Sequence, residues 1–235
     1  MNVVITGASR GLGKCIAEQF AGDKQGHTVV MCARSKETLD IAGRELQGRF
    51  PRSNIKTYAC DLSRKEEVLR FGDWVLQQVP QIDVLVNNAG TFTPGSVHNE
   101  PEGALEEMVT VNLYSAYHLT RRLLPRMMEQ KKGHIFNMCS IASLKAYNNG
   151  GAYSISKFAL LGFSRNLREE LKTYNIKVTA VLPGAAYTDS WASSGVDPKR
   201  IMEASDIAAL VYASAHLSPQ ACVEDIVVRP QLGDL

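Results

Sequence analysis

Tyr153 and Lys157 are four positions apart in the stretch Tyr153-Ser154-Ile155-Ser156-Lys157. On a helix that spacing puts a phenol and an ammonium on one face, about one turn apart. A free phenol loses its proton near pH 10, too high for proton traffic at neutrality. A cation within roughly 4–6 Å favours the phenolate and turns the tyrosine into a usable general acid or base. An amphipathic helix with a solvated lysine has the same spacing, so the pair gains meaning only from the elements that would bring a reacting group to it.

The first such element is at the start of the chain. Val3-Val4-Ile5 is a short apolar run ended by Thr6-Gly7, and the residues from Lys14 to Phe20 have helical periodicity. Gly7, Gly11 and Gly13 between them form T-G-x-x-x-G-x-G. Glycines there allow a tight turn and let a pyrophosphate reach the helix N-terminus, where free N–H groups and the macrodipole favour anions. A second apolar run, Thr28 to Ala33, ends at Arg34, 21 residues beyond Gly13 and without a carboxylate beside it. In a dinucleotide fold an acid in this region takes the ribose hydroxyls of NAD, whereas an arginine suits the 2′-phosphate of NADP. Arg10, inside the glycine loop, supplies a second guanidinium, and the two together favour NADP(H) over NAD.

Further along, strands and helices keep alternating. Helical periodicity from Leu39 to Phe50 is broken by Pro51, and Ile55 to Cys60 alternates as a strand leading to Asp61. Ser63 and Glu66 have the form of a capping box opening a helix to about Val79. Ile82 to Val86 suits a central parallel strand and ends at Asn87-Asn88-Ala89-Gly90. One long helix is expected from Ala104 to about Gln130, with a kink at Pro125 and with Asn112 as a polar residue in an apolar neighbourhood, either a structural bridge or part of a site. The next strand, Ile135 to Cys139, delivers Ser140, and the helix from Ala152 to about Tyr174 carries Tyr153 and Lys157. A strand from Ile176 to Leu182 stops at Pro183-Gly184, the polar stretch 185–204 reads as a short lid, and a final helix and strand close the chain. Such alternation predicts a single α/β domain over 1–235, with a doubly wound parallel sheet of about seven strands in the order 3-2-1-4-5-6-7 and helices on both faces. Gly7, Arg34, Asp61, Asn87, Ser140 and Pro183 all follow strands, on the edge where such sheets bind ligands.

Composition narrows the classes. With 45% hydrophobic and 21% charged residues the chain is ordinary globular protein, and a net charge of +2 without a basic stripe gives no reason to expect nucleic acid. Five widely separated cysteines read as free thiols in a reducing compartment. The spacing of the five histidines matches no metal-ligand pattern, so no metal is expected. No apolar run reaches the roughly 18 residues a membrane helix needs, and Met1 leads directly into Asn2-Val3-Val4-Ile5 without a charged leader. A cytoplasmic protein is the expectation.

With Thr6 to Gly13, Asp61, Asn87 to Gly90, Asn112, Ser140, Tyr153-x-x-x-Lys157 and Pro183-Gly184 with Thr188 in this order, the chain resembles the short-chain dehydrogenase/reductase superfamily over essentially its whole length. The gap of 13 between Ser140 and Tyr153 is that family's usual one. The resemblance implies a Rossmann fold and NAD(P)-dependent hydride transfer to or from a carbonyl. In it Tyr153 protonates the carbonyl oxygen, Lys157 holds the nicotinamide ribose and lowers the tyrosine pKa, Ser140 bonds the substrate oxygen, and Asn112 supports a relay water. Cofactor contacts are implied for Gly7, Ser9, Arg10, Gly11, Leu12, Gly13, Arg34, Asp61, Leu62, Asn88, Ala89, Gly90, Tyr153, Lys157, Pro183, Gly184 and Thr188. Ser140, Ala142, Tyr147, Tyr187 and Trp191 are candidate substrate contacts, although the three aromatics serve equally as lid anchors. A short lid and the ending Glu224 to Pro230 look like the 3-hydroxy acid and serine dehydrogenases and the sepiapterin-type reductases. The expected substrate is a small ketone, diketone, 3-oxo or 3-hydroxy acid or 3-oxoacyl compound, and the expected assembly a homodimer or homotetramer. An NADP-binding sensor or scaffold without turnover is the alternative.

Overall fold

A computed structural model describes residues 1–188 and 195–235. Its parallel sheet has seven strands, β1 (Asn2–Thr6), β2 (Thr28–Ala33), β3 (Asn54–Ala59), β4 (Val84–Asn87), β5 (Gly133–Met138), β6 (Ile176–Pro183) and a closing strand, here β9 (Asp225–Val228). Their spatial order is β3-β2-β1-β4-β5-β6-β9, the order read from the sequence with β9 as its seventh strand. Two short strands, β7 (Ala186–Tyr187) and β8 (Met202–Glu203), pair with each other apart from the main sheet, within the stretch read as a lid.

Successive strand residues point to opposite faces, and both faces are covered. Val3, Ile5, Val29 and Met31 pack on one side with α1 (Gly11–Ala21), α2 (Lys36–Arg49) and α7 (Ala204–Ala215). Val4, Val30 and Cys32 pack on the other with α3 (Lys65–Gln78), α5 (Ser115–Gln130) and α6 (Gly151–Leu171). Double coverage is why β1, β2 and β4 read as continuous apolar runs rather than alternating ones. Cys32 and Cys60, distant in sequence, lie within hydrogen-bonding reach of each other, and burial pushes the Cys32 thiol up. All five cysteines are free. No helix of the described residues is long and apolar enough to cross a membrane.

Two local expectations change. The helix expected from Ala104 to Gln130 is α4 (Ala104–Val109), a π-helical turn at Thr110–Tyr114, then α5. Pro125 sits inside α5, and the break in α-helical hydrogen bonding lies at the turn that holds Asn112. Ser63 does not cap α3, whose N-cap is Arg64. Both its N–H and its hydroxyl instead donate to Asp61 Oδ1, at 3.0 and 2.8 Å, while Glu67 reaches back to accept the Asp61 N–H at 2.8 Å. The reciprocal pairing resembles a capping box but is centred on Asp61, because Asp61 must turn the chain directly at the end of β3.

The glycine turn is set by steric contact. Gly7 and Gly11 have φ of +64° and +54°, in the left-handed region that favours glycine. Gly13, in the first turn of α1, seats that helix against β1: a Cβ there would stand 2.3 Å from Gly7 O and 2.5 Å from Asn88 Nδ2. Since a carbonyl held by the turn cannot yield, Gly13→Ala should lower stability by about 1–3 kcal/mol, measured as the midpoint of denaturant unfolding. An unchanged midpoint would show that α1 does not rest on the turn in this way.

Candidate active site

At the C-terminal ends of β1, β4, β5 and β6 the polar residues meet. Thr6 Oγ1 accepts the N–H groups of Asn88 and Ala89, both at 3.0 Å, and Asn88 Nδ2 donates to Thr6 O and Gly7 O at 2.9 and 3.1 Å. The Asn88 side chain therefore fastens the glycine turn to the end of β4. Thr188, just beyond β7, approaches the same turn from the other side, where a Cβ on Gly11 would meet its methyl at 3.6 Å. The Arg10 side chain at its N-cap makes no capping hydrogen bond to α1, and the first turn holds no acidic residue. Helix N-termini of this kind, with leading N–H groups left to outside partners, suit anions.

Ser140 follows β5 with an extended backbone and is almost buried, 9% exposed. Its hydroxyl accepts the Ala142 N–H at 3.1 Å, and its N–H donates to Ser143 Oγ at 3.2 Å. The hydroxyl that caps the loop also lies within hydrogen-bonding reach of the Tyr153 phenol. Ala142 is buried beneath it.

Tyr153 stands in the first turn of α6, its ring edge-on to Phe92 at 4.9 Å. Burial raises its pKa, and the Ser140 hydroxyl acts in the opposite sense. Lys157 is 5% exposed, donates to Met138 O at 2.8 Å, and has its ammonium 5.7 Å from the tyrosine ring centre. Burial lowers its pKa to about 8. The phenol thus answers to desolvation first, while the lysine ammonium is held by the β5 carbonyl. An ammonium has three donors, and the Met138 carbonyl takes one of them.

Asn112 lies in the π turn. Its Oδ1 accepts the Thr91 N–H at 2.7 Å, and its Nδ2 donates to Thr91 O at 3.0 Å and to Ser156 Oγ at 2.9 Å. Ser156 Oγ donates in turn to Tyr153 O at 2.7 Å. The amide is therefore a bridge from the loop after β4 to the helix of the catalytic pair, and the π turn brings it there, as such turns often do at functional sites. Beneath runs a buried chain in which Asn87 Nδ2 donates to Thr120 Oγ1 and Asn137 Oδ1, and Asn137 Nδ2 to Ser164 Oγ, at 2.8–3.0 Å. Thr120, Asn137, Ser156, Ser164 and Ser143 escape a reading by motif. A polar residue inside an apolar strand is the signal that could have found Asn137. Glu100 is a further supporting residue: its carboxylate accepts the Ala152 N–H at 3.0 Å, at the N-terminus of α6.

Arg34 follows β2 and is exposed at the start of α2, close enough to Asp61 to help hold that carboxylate below its usual range, after the hydrogen bonds from Ser63. Tyr147 is half-exposed beside Gly150, and burial together with Tyr153 pushes its phenol to about 12. Tyr187 lies elsewhere, in a cleft with Met202, Ser205 and Leu232 that none of Asn112, Ser140, Tyr153 and Lys157 lines. Gly184 packs on Pro230, and its N–H donates to Val228 O at 2.8 Å. Trp191 is outside the described residues.

A family model described as short chain dehydrogenase matches residues 1–199. This chain belongs to that family. It is 31% identical over 237 residues to the sepiapterin reductase of Chlorobaculum tepidum, covering 99% of this chain and 97% of that protein. Among solved structures it is similar to a metagenomic short-chain oxidoreductase in complex with NADP, at 33% identity and a TM-score of 0.84 over 98% of this chain and 97% of that one. The L-sorbose reductase of Gluconobacter frateurii, complexed with NADPH and L-sorbose, superposes with a TM-score of 0.88 at 26% identity, over 97% and 94% of the two chains.

The short-chain dehydrogenase site carries its own pH dependence. Lys157 is a cation below about pH 8 and neutral above it. If its charge serves the reaction, kcat/KM, which reports free-enzyme ionisations, should fall as pH rises through about 8. A profile flat across that range would remove Lys157 from the mechanism.

Proposed function

We propose that the chain is an NADP(H)-dependent oxidoreductase interconverting a small carbonyl compound and its alcohol. The observation that carries this reading is the convergence of the Ser140 hydroxyl, the Tyr153 phenol and the Lys157 ammonium at the edge where the glycine turn opens α1. The residues present suit the cofactor. The uncapped first turn of α1 fits a pyrophosphate, Arg34 at the α2 terminus fits a 2′-phosphate, and the spare donors of Lys157 fit ribose hydroxyls. The solved relatives with NADP and NADPH point the same way.

When bound, the reduced nicotinamide supplies the hydride. Hydride arrival builds negative charge on the carbonyl oxygen, and the groups able to meet it are preorganised donors. Ser140 holds that oxygen, its own orientation fixed by the Ala142 N–H. Tyr153 gives it a proton, a role for which a phenol kept protonated by burial is suited in the reductive direction. Lys157 keeps a positive charge beside the tyrosine as the proton leaves. Asn112 positions α6 through Ser156 and keeps Thr91 in place.

Phe92 and Tyr147, exposed beside Tyr153, make an aromatic rim suited to a small ketone or diketone with an apolar or planar flank. Lys145 is the one cation in the loop after Ser140 able to pair with the carboxylate of a 3-oxo acid. Presence of all four of Asn112, Ser140, Tyr153 and Lys157 disfavours a silent sensor. Exposed Tyr114 beside α5, and Ile155 and Phe158 on α6, offer an apolar face for the homo-oligomer, and the free thiols suit a cytoplasmic location.

Two substitutions test this. Tyr153→Phe should keep NADPH binding but lower kcat for ketone and diketone reduction by roughly 10²–10⁴, followed as NADPH oxidation. Survival of full turnover would refute the proton-donor role. Arg34→Asp should weaken NADPH by roughly 10–100-fold, the worth of a charged hydrogen bond, and shift preference toward NADH. Equal KM ratios in the two proteins would end the assignment of Arg34 to the 2′-phosphate.

A further inference from the structure

At the opposite edge of the sheet, where the strands begin, Asp23, His27 and His216 come together with their ligand atoms all within 4.8 Å of one another. Asp23 follows α1, His27 immediately precedes β2, and His216 follows α7. Asp23 Oδ2 lies 3.3 Å from His27 Nε2 and 3.6 Å from His216 Nε2.

The remaining hydrogen bonds orient all three groups. His27 Nδ1 is 2.7 Å from Gly26 O, and His216 Nδ1 is 2.8 Å from Tyr212 O. With the proton on the ring nitrogen that faces the carbonyl, Nε2 of a neutral imidazole carries a lone pair. Both Nε2 lone pairs then face a carboxylate oxygen. Two lone pairs and an anion repel unless a cation stands between them. His27 sharpens the point: it is 6% exposed, and its Nε2 is buried without a hydrogen-bond partner among the described residues. Its backbone is fixed, the N–H donating to Ser53 Oγ at 3.0 Å. The carboxylate is fixed too, accepting the Gln25 N–H at 2.8 Å through Oδ1 and the Tyr212 hydroxyl through Oδ2.

We propose that Asp23 Oδ2, His27 Nε2 and His216 Nε2 bind a divalent first-row transition metal, zinc first among them, with water completing the tetrahedron. Bonds of about 2.0–2.2 Å from a tetrahedral centre require ligand atoms about 3.3–3.6 Å apart, close to the two separations from Asp23. Backbone carbonyls on both Nδ1–H groups are the outer partners that metal-bound histidines carry. A solvent-open hollow bordered by Asp23, Gly22 and Tyr212 leaves room for the water. With the catalytic groups at the other edge of the sheet, the ion is structural: it ties the end of α1 and the end of α7 to the start of β2. Two cations stand near the cluster: Arg49, which borders the same hollow as Asp23, and the Met1 ammonium, 3.1 Å from His27 Nδ1. The second bears on the tautomer. It supports the competing arrangement, in which Nδ1 accepts from Met1 and Nε2–H points at Asp23 without a metal.

Untagged full-length protein stripped with chelator and titrated with ZnCl₂ distinguishes the two. The expected result is one zinc per chain by elemental analysis and calorimetry, a raised unfolding temperature, and tetrahedral d–d absorption with Co²⁺. His216→Ala, a change at a partly exposed residue outside the catalytic site, should weaken binding at least about tenfold, as loss of metal-site partners does. It should remove the thermal shift and leave ketone reduction unchanged. Failure of the folded native chain to take up zinc, or uptake equal in native and His216→Ala proteins, would overturn the proposal.

Discussion

A buried ammonium dictates much of the architecture around it. Taking a lysine charge out of water costs several kcal/mol even after relaxation, so Lys157 must find an acceptor where the sheet has one to spare. Met138 is the last residue of β5, and its carbonyl, at the end of the strand, accepts from Nζ at 2.8 Å. That bond requires α6 to lie along β5 in one register. Asn137 and Ser164 enforce it: Asn137 precedes Met138, Ser164 is seven residues, two turns, beyond Lys157, and the two are joined at 2.8 Å. Asn87 continues the tie into β4 and Thr120 into α5. Buried amides in such a chain have few other partners, so each defines the position of the next.

Economy of groups marks the catalytic edge. Ser140 turns the chain after β5 and presents its hydroxyl to Tyr153, so any backbone shift that spoiled the cap would also move the donor. Thr6 receives two N–H groups from the turn after β4, and Gly13 brings α1 against that same turn. The N-terminus of α1 and the Ser140–Tyr153 pair thus lie at the same edge of the sheet, each held by its own polar contacts. Burial holds the Lys157 pKa at about 8, and hydroxyls brought to its ammonium would stabilise the cation.

Much of this is legible in the chain because period and punctuation are local. Val3 to Ile5 and Val84 to Val86 are apolar runs because both faces of the sheet are covered, and Gly7, Asn87, Ser140 and Pro183 mark strand ends. What stays hidden depends on tertiary distance. The π turn at Asn112 has no local punctuation, since Thr110 to Tyr114 is as compatible with an α-helix. Pro125, the visible irregularity, leaves α5 intact. Ser63 and Glu66 satisfy a capping pattern, yet Asp61 and Glu67 make the bonds, because the end of β3 fixes where the turn begins. The spacing predicts a Tyr153 pKa lowered by Lys157, but burial raises it and the opposing group is the Ser140 hydroxyl, neither of which spacing can reveal.

The grouping of two histidines is hidden for the same reason. His27 and His216 are 189 residues apart and form no local ligand motif, but α1 packs against α7, and the ends of both helices reach the start of β2. Asp23 belongs to the loop leaving α1, whose first turn follows the glycine turn at the other edge of the sheet. An 11-residue helix is a rod of about 16 Å. Whatever holds its far end therefore also limits how α1 can tilt on Gly13. A cross-link among Asp23, His27 and His216 would act on the glycine turn through that rod, stiffening the cofactor edge from the face that carries no chemistry.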